Sequence, residues 1–435
     1  MSEIEIGIAF IAILIALILM RIPIGIALIA VAFCGIWSLL GWRIAWGTLG
    51  IVPYQFAANW VLSSVPAFLF MGFICYHTRL TQGLFDAARV WLSGLPGGLA
   101  VASVCGCAGF AAVTGSSVAC SAAMGRIAIP EMMRHRYAPE LATGTVAAAG
   151  TIGALIPPSI LMIIYGVIAQ VPIGKLFMGG LSIGLLTMLL YVLLIVLRAH
   201  LNPALAPRVD GIVSGADRLR ALAAVWPVAL IFLGVFVGLF SGAFTPTEAG
   251  SVGAVLSMVV AFLKRRLTFQ AIRKATLETL TTTAALIIIG IGASLLTRFL
   301  ALSGSGDALT RAVLSFGADP LFIILGICLI YLVLGLFLEP LGAMLLTLPV
   351  VLPIVDGTGL DLVWFGILLT KLLEIGMITP PIGMNVFVIK GVVGDLVPLG
   401  RILRGVVPFI AVDLVLVGLL IVFPAIALLA PHWAK

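Results

Sequence analysis

Two proline pairs interrupt long apolar stretches of the chain. Pro157-Pro158 falls within residues 141–169, and Pro380-Pro381 falls within residues 361–391. A double proline removes two backbone N–H donors and breaks the helical hydrogen-bond ladder, so carbonyl groups are left free. Inside a membrane, such carbonyls are tolerated only where protein or a water-filled cavity satisfies them. Hard cations such as sodium bind carbonyl and hydroxyl oxygens, so each break is a predicted ion site. The alternative is that these residues only kink the helices and let them pack tightly.

A second pair of breaks divides the stretches 97–135 and 319–355 into two apolar arms each. The first break is Thr114-Gly115-Ser116-Ser117, and the second is Leu338-Glu339-Pro340. Arms of about 14–18 residues are short for a membrane crossing, which needs about 20. Each pair is therefore predicted to be a re-entrant hairpin with its tip near mid-membrane. The helix that starts after a tip exposes amide donors with a positive partial charge, which suit a carboxylate.

Four charged residues within apolar segments are candidates for a site. Glu339, at the second tip, can bind a cation or a proton, or can accept hydrogen bonds from a helix N-terminus. Lys371 and Glu374 are three positions apart on one predicted helix, and we expect them to neutralise each other. Arg126 is the cation that an anionic substrate would need nearby, but it can also extend to the inner membrane face beside Glu131.

The composition is that of a polytopic membrane protein. Of the 435 residues, 62% are apolar and 9% are charged, and the mean hydropathy is +1.28. Soluble domains are about 45–50% apolar and about 25% charged. A soluble enzyme, a nucleic-acid-binding domain and a disordered chain are therefore excluded. The net charge of +7 reflects where Lys and Arg lie relative to the membrane, not binding to nucleic acid.

The sequence contains no recognisable catalytic pattern. The histidines fall near predicted span ends or in loops, at His77, His135, His200 and His432. Neither a phosphate-binding Walker loop nor a nucleophile elbow is present. We therefore expect a protein that is not an enzyme, has no cofactor and binds sodium as its only metal.

The chain aligns with itself at an offset of 223 positions. Seven glycine or proline positions coincide, where about three are expected by chance, and hairpin falls on hairpin without gaps. The predicted fold is all-α, with repeats at 1–199 and 222–435 joined by a cytoplasmic linker at 200–221. Each repeat contains a re-entrant hairpin and a proline-broken helix. Four segments are predicted to lie along the membrane surface: 42–59, 81–93, 267–278 and 305–317.

Each repeat is predicted to cross the membrane five times. An odd number of crossings gives the two repeats opposite orientations, which is the inverted repeat typical of secondary transporters. If the N-terminus is outside, seventeen Lys and Arg residues fall on the inner side and five on the outer side, with Arg126 and Lys371 within the layer. This bias predicts an inner-membrane protein with both termini in the periplasm.

The motifs around the breaks resemble those of a known family. They are Gly115-Ser116-Ser117-Val118-Ala119, Ile129-Pro130-Glu131-Met132, Leu141-Ala142-Thr143-Gly144, Gly150-Thr151-Ile152-Gly153-Ala154-Leu155-Ile156-Pro157-Pro158-Ser159 and Thr379-Pro380-Pro381-Ile382-Gly383-Met384-Asn385. In this order they resemble the large membrane subunit of TRAP transporters, the tripartite ATP-independent periplasmic transporters. The resemblance covers essentially the whole chain. The sequence departs from the family pattern after the first tip, where Cys120-Ser121 stands in place of other small or polar residues.

The resemblance implies two sodium sites. The first is implied at Thr114, Ser116, Gly153, Ile156 and Pro158. The second is implied at Gly335, Gly376, Thr379 and Ile382. Four residues near the tips and breaks are candidates for substrate binding: Ser117, Arg126, Glu339 and Asn385.

The resemblance also implies a sodium-driven importer of small organic acids that works by an elevator movement of a transport domain against a scaffold. A periplasmic substrate-binding protein would deliver the acid, and a small four-helix membrane subunit would complete the scaffold in the lipid bilayer. The alternatives are a self-sufficient sodium/anion symporter of the same architecture and a membrane scaffold that does not transport. The sequence does not identify the acid.

Overall fold

The computed structural model describes residues 2–207, 214–315 and 319–433. Within these ranges every regular element is a helix, and none is a strand. The predicted all-α class is therefore confirmed.

The first half of the described chain forms ten α-helices. They are α1 (Glu3–Leu19), α2 (Ile24–Leu40), α3 (Trp42–Ala57), α4 (Ser64–His77), α5 (Gln82–Leu92), α6 (Gly98–Thr114), α7 (Ser117–Arg134), α8 (Pro139–Gly150), α9 (Ile160–Ala169) and α10 (Ile173–Leu201). A short 3-10 turn, Thr151–Ala154, follows α8 and leads into the first proline pair.

The second half of the described chain forms eleven α-helices. They are α11 (Gly215–Ala224), α12 (Trp226–Phe240), α13 (Pro246–Leu263), α14 (Phe269–Leu302), α15 (Ser305–Ser315), α16 (Pro320–Gly335), α17 (Pro340–Gly357), α18 (Leu362–Gly376), α19 (Met384–Val393), α20 (Leu399–Val422) and α21 (Ala425–Trp433).

Helix boundaries recur at the offset of 223 positions. Helices α5 and α15 have the same length and start 223 residues apart, and so do α7 and α17. In both halves a break separates the two arms of a hairpin, and a proline pair follows the next helix. The two-repeat fold with hairpins and broken helices therefore appears in the structure as well as in the sequence.

One part of the repeat differs between the halves. The first half ends α3 at Ala57 and starts α4 at Ser64. Asn59 stands between them, and its side chain accepts a hydrogen bond from the amide of Val61 at 3.0 Å. The equivalent position in the second half is Thr282, inside the continuous 34-residue helix α14. The separate surface helix expected at 267–278 is therefore wrong, because residues 269–278 form the first part of α14, which continues without a break to Leu302.

Six helical segments of the described chain are long and apolar enough to cross a membrane. They are Trp60–His77, Ile173–Leu201, Pro246–Leu263, Phe269–Leu302, Pro340–Gly357 and Leu399–Val422. On α10, Leu189, Leu193 and Leu197 form an exposed apolar stripe, while Tyr191 is buried. Apolar side chains four residues apart on the outside of a helix suit contact with lipid.

The predicted linker 200–221 is helical at both of its ends. Helix α10 continues to Leu201, and α11 begins at Gly215 and meets α12 at a bend of 49°. Residues 208–213 lie outside the described residues. The cytoplasmic location of this linker stays a prediction.

Helix α18 lies at the centre of the packed core. Every residue from Val363 to Gly376 is buried. The helix packs against α9, α10, α16, α17 and α20, which come from both halves of the chain. A helix that is apolar and buried all round belongs to the interior of a membrane protein. The polar residues that α18 carries therefore need partners inside the protein.

Candidate functional site

A cavity of about 420 Å³ lies between the two hairpin tips. Its wall includes Ser116 and Ser117 of the first tip, Glu339 and Pro340 of the second tip, and Glu374 of α18. Residues of α4 and α14 complete the wall on the remaining sides. Both halves of the chain therefore contribute to one cavity.

The cavity combines negative side chains with positive helix ends. Glu278, Glu339 and Glu374 line it, and no lysine, arginine or histidine of the described residues does so. The first turns of three helices also line it, namely α7, α9 and α17. A helix N-terminus carries unsatisfied N–H groups and about half a positive charge. Helix N-termini attract a carboxylate, whereas ionised Glu side chains repel one, so the two features of this wall act in opposite directions on an anion.

At the first break, the hairpin tip contacts the broken helix through the backbone. Gly115 has a left-handed φ of +59°, and a Cβ atom added to it would overlap the carbonyl oxygen of Pro158. A Cβ atom added to Gly153 would lie 3.1 Å from the carbonyl oxygen of Ser116. Ile156, two positions before Pro158, is buried. The structure thus brings together Ser116, Gly153 and Pro158, three of the residues implied in the first sodium site.

The hydroxyl groups at the first tip are held in place by the hairpin. The side chain of Ser116 caps α7 by accepting a hydrogen bond from the amide of Ala119 at 3.4 Å. Thr114 donates its hydroxyl to the carbonyl of Phe110 at 3.0 Å. A hydroxyl has two lone pairs, so each oxygen keeps the capacity to bind a cation.

At the second break, two glycines pack directly on each other. A Cβ atom added to Gly376 would lie 2.6 Å from the Cα atom of Gly335 and 2.8 Å from its carbonyl oxygen. Thr379 donates its hydroxyl to the carbonyl of Ile375 at 2.6 Å. The side chain of Ile382 is exposed, so only its main chain can take part in a site. The structure therefore brings together Gly335 and Gly376 through their backbones.

A buried hydrogen bond connects the two halves at the cavity. Ser117, the first residue of α7, donates its hydroxyl to the carboxylate of Glu374 with an oxygen–oxygen distance of 2.5 Å. Glu374 is only 1% exposed. The first hairpin tip is thereby bonded to the helix that leads into the second break.

The expected ion pair between Lys371 and Glu374 is wrong. The ammonium group of Lys371 lies 2.6 Å from the carboxylate of Asp413 on α20, and both side chains are fully buried. The same ammonium donates to the hydroxyl of Thr187 at 3.4 Å, and Tyr191 donates to the other carboxylate oxygen of Asp413 at 2.7 Å. A buried charge needs a partner, and here that partner comes from another helix and not from the next turn of the same helix.

Sequence reasoning missed Asp413 and Tyr191. A signal was available, because Asp413 is the only acidic residue within the 24 apolar-rich residues of α20. An ionisable residue within a membrane segment marks a paired or functional site by default. The identity of its partner was not available, because Lys371 is 42 positions away along the chain.

Two of the four candidate substrate-binding residues do not reach the cavity. Arg126 lies on the exposed side of α7, and Glu131 is paired with Arg89 at 2.8 Å. Asn385 is fully buried and donates to the carbonyl of Ala147 at 3.4 Å. The other two, Ser117 and Glu339, line the cavity wall.

The fold and the site define a class of protein: a polytopic membrane transporter whose two repeats meet at a central cavity. Comparison with known proteins gives the family. Residues 11–426 match the family described as the tripartite ATP-independent periplasmic transporter, DctM component. The chain belongs to this family, which confirms the resemblance. It is a large permease of the TRAP type, a multi-pass transporter of the inner membrane.

Several curated relatives match nearly the whole chain. The C4-dicarboxylate TRAP transporter large permease protein DctM of Pseudomonas aeruginosa is 36% identical over 389 residues, which cover 89% of this chain and 90% of the relative. The sialic acid TRAP transporter large permease protein SiaM of Vibrio cholerae is 31% identical, and the match covers 94% of this chain and 95% of the relative. The ectoine TRAP transporter large permease protein TeaC of Halomonas elongata is 30% identical, and the match covers 96% of this chain and 97% of the relative. All three are permeases, not enzymes.

The solved structures include one with a similar fold. The YdaH transporter of Alcanivorax borkumensis has a TM-score of 0.60 and 16% identity, and the match covers 89% of this chain and 90% of that protein. At this identity, the likeness concerns the fold alone.

Proposed function

We propose that this chain is the membrane subunit of a sodium-coupled importer of small organic acids. The observation that carries the proposal is that two helix breaks, one in each half, lie next to hairpin tips that line a single cavity. Breaks supply carbonyl and hydroxyl oxygens for a cation, and helix N-termini supply amides for a carboxylate. The cavity thus offers groups for both the coupling ion and the acid.

Sodium is proposed to bind at the two breaks, at the two residue sets named in the sequence analysis. Close backbone contacts at Gly153 and at Gly376 support this placement, because they hold the tip and the broken helix in fixed register. These sites offer neutral oxygens, which suit a monovalent ion. No group of three or more His, Cys, Asp or Glu residues in the described chain could hold another metal.

Transport is proposed to follow an elevator movement in which the two hairpins and the two broken helices travel together. Their mutual packing supports movement as one unit, because α18 contacts elements of both halves. TRAP large permeases work with a periplasmic substrate-binding protein and a small membrane subunit, and we propose both partners for this chain. Both termini are proposed to face the periplasm, on the basis of the Lys and Arg bias.

Small organic acids are the proposed substrate class. The three relatives are named as transporters of C4-dicarboxylates, sialic acid and ectoine, all of which carry a carboxylate. The three helix N-termini at the cavity favour a carboxylate because each carries a partial positive charge. The alternative function, a symporter that works without a binding protein, has the same cavity and differs only in how the substrate arrives.

The test uses the complete transporter in proteoliposomes. The periplasmic partner is first screened against a panel of organic acids by thermal shift, with the C4-dicarboxylates succinate, malate and fumarate included. Uptake of the acid found is then measured with an inward sodium gradient, and choline replaces sodium in the control. Uptake that needs both sodium and the binding protein supports the proposal. Uptake that survives without the binding protein favours the symporter, and uptake unchanged in choline refutes sodium coupling.

A further inference from the structure

The hydrogen bond between Ser117 and Glu374 joins the neighbourhoods of both proposed sodium sites. Ser117 directly follows Ser116 at the first break, and Glu374 is two positions before Gly376 at the second break. The two bonded residues are 257 positions apart in sequence. A single side-chain contact thus connects two sites that belong to different repeats.

Glu374 is held in position by its own helix. One turn earlier, Lys371 is paired with Asp413 at 2.6 Å, and Asp413 also accepts a hydrogen bond from Tyr191 at 2.7 Å. This buried network ties α18 to α10 and α20. Because Asp413 occupies the ammonium group of Lys371, the carboxylate of Glu374 remains available to Ser117.

We propose that the hydrogen bond from Ser117 to Glu374 couples the two sodium sites, so that sodium at one site raises the affinity of the other. The inference rests on the sodium sites proposed above. Ser117 and Glu374 act as positioning residues, because they orient the two breaks relative to each other.

The coupling arises because sodium at one site orders the residues of the other site. Sodium at the first break holds the hairpin tip, and Ser117 then presents its hydroxyl to Glu374 in a fixed position. Glu374 in turn fixes the last turn of α18, which carries Gly376. The second sodium ion meets a site that is already ordered and so loses less conformational entropy on binding. Coupling between two sites is reciprocal, so either ion can bind first.

The test is a sodium titration of the purified full-length protein in detergent. The quantity measured at each sodium concentration is the midpoint of thermal unfolding. Choline keeps the ionic strength constant, and no substrate is needed. The wild type should show a Hill coefficient above one. In the Ser117→Ala variant the coefficient should fall to about one, which corresponds to the loss of a coupling of about 5- to 150-fold. The matched control is Ser121→Ala, which removes a buried hydroxyl from the same helix without removing a hydrogen bond to another described residue.

Two substitutions of Glu374 separate the hydrogen bond from the charge. Glu374→Gln keeps an acceptor oxygen at the same length and removes the charge, so it should keep the cooperative titration. Glu374→Asp keeps the charge but is one methylene too short to reach Ser117, so it should behave like Ser117→Ala. A purely structural role would lower the stability without sodium and leave the Hill coefficient unchanged.

The outcomes distinguish the inference from the proposed function. If sodium stabilises the wild type no more than choline does, sodium binding is refuted, and the coupling is refuted with it. A wild type that binds sodium with a Hill coefficient of one refutes the coupling alone. The coupling is also refuted if Ser117→Ala titrates like the wild type, or if Glu374→Asp keeps cooperativity that Glu374→Gln loses.

Discussion

Gly115 at the first hairpin tip allows a sharp test of the contact between the tip and the broken helix. We expect Gly115→Ala to weaken sodium binding and to destabilise the protein. The residue has a left-handed φ of +59°, which costs a side-chain-bearing residue about 1–2 kcal/mol. The added Cβ would also overlap the carbonyl oxygen of Pro158, which is a backbone atom and not the end of a flexible side chain.

A matched variant separates these two costs. Gly304 has a φ of +63°, and a Cβ atom added there would meet nothing within 4 Å. Gly304→Ala therefore carries only the strain of about 1–2 kcal/mol. Gly115→Ala adds overpacking of about 1–3 kcal/mol, so the expected total is about 2–5 kcal/mol. The difference in unfolding free energy between the two variants measures the cost of the close approach at the first break.

The assay follows thermal unfolding in detergent with sodium and with choline. Gly115→Ala should have a lower midpoint than Gly304→Ala in both media, because the overlap exists without the ion. It should also need more sodium for half of the maximal stabilisation, because the tip is pushed away from Gly153 and Pro158. Gly304→Ala should respond to sodium like the wild type. Equal midpoints and equal sodium responses for the two variants would refute the reasoning about the first break.

Three further predictions concern an ion pair, a ligand and the topology. Asp413→Asn leaves the charge of Lys371 buried and should cost about 3–5 kcal/mol of stability, whereas Lys371→Met combined with Asp413→Leu should restore most of it. Ser116→Ala removes one proposed sodium ligand and little volume, so its lower uptake should be partly rescued by more sodium while protein abundance stays normal. A cysteine introduced near Arg134 should be labelled only from the cytoplasm, and one near Asp356 only from the periplasm.

Each of these predictions has a result that contradicts it. If the double variant Lys371→Met with Asp413→Leu unfolds at no higher a temperature than Asp413→Asn, the pairing of the two buried charges is contradicted. Uptake by Ser116→Ala with the sodium dependence of the wild type would remove that side chain from the site and leave only backbone oxygens. Labelling of both cysteines from the same side would contradict the inverted repeat.

Local sequence features predicted the breaks, because their causes are local. Proline lacks the N–H group that a helix needs, wherever the rest of the chain lies. Gly115 at the tip adopts a left-handed φ that other residues disfavour. The internal repeat then predicted that both halves contain the same breaks, and α7 and α17 begin and end 223 positions apart. The sodium and substrate assignments of individual residues stay predictions.

The same repeat could not predict where the halves diverge. Positions 42–77 contain the two helices α3 and α4, while the equivalent positions of the second half belong from Phe269 onward to the single helix α14. Asn59 caps a new turn in the first half, whereas Thr282 lies inside α14 in the second half. A weak propensity of this kind is easily outweighed by the packing of the neighbouring helices.

The sequence by itself determined the membrane class, the two repeats, the helix breaks and the family, because composition, proline chemistry and motif order are properties of the chain alone. Only the tertiary structure decided which buried charges are partners. Lys371 has Glu374 one turn away on its own helix but pairs with Asp413 of α20, and Glu374 bonds with Ser117 of the other repeat. The physical reason is that a buried charge is stabilised by whichever opposite charge or donor lies within a few ångströms, and helix packing sets those distances.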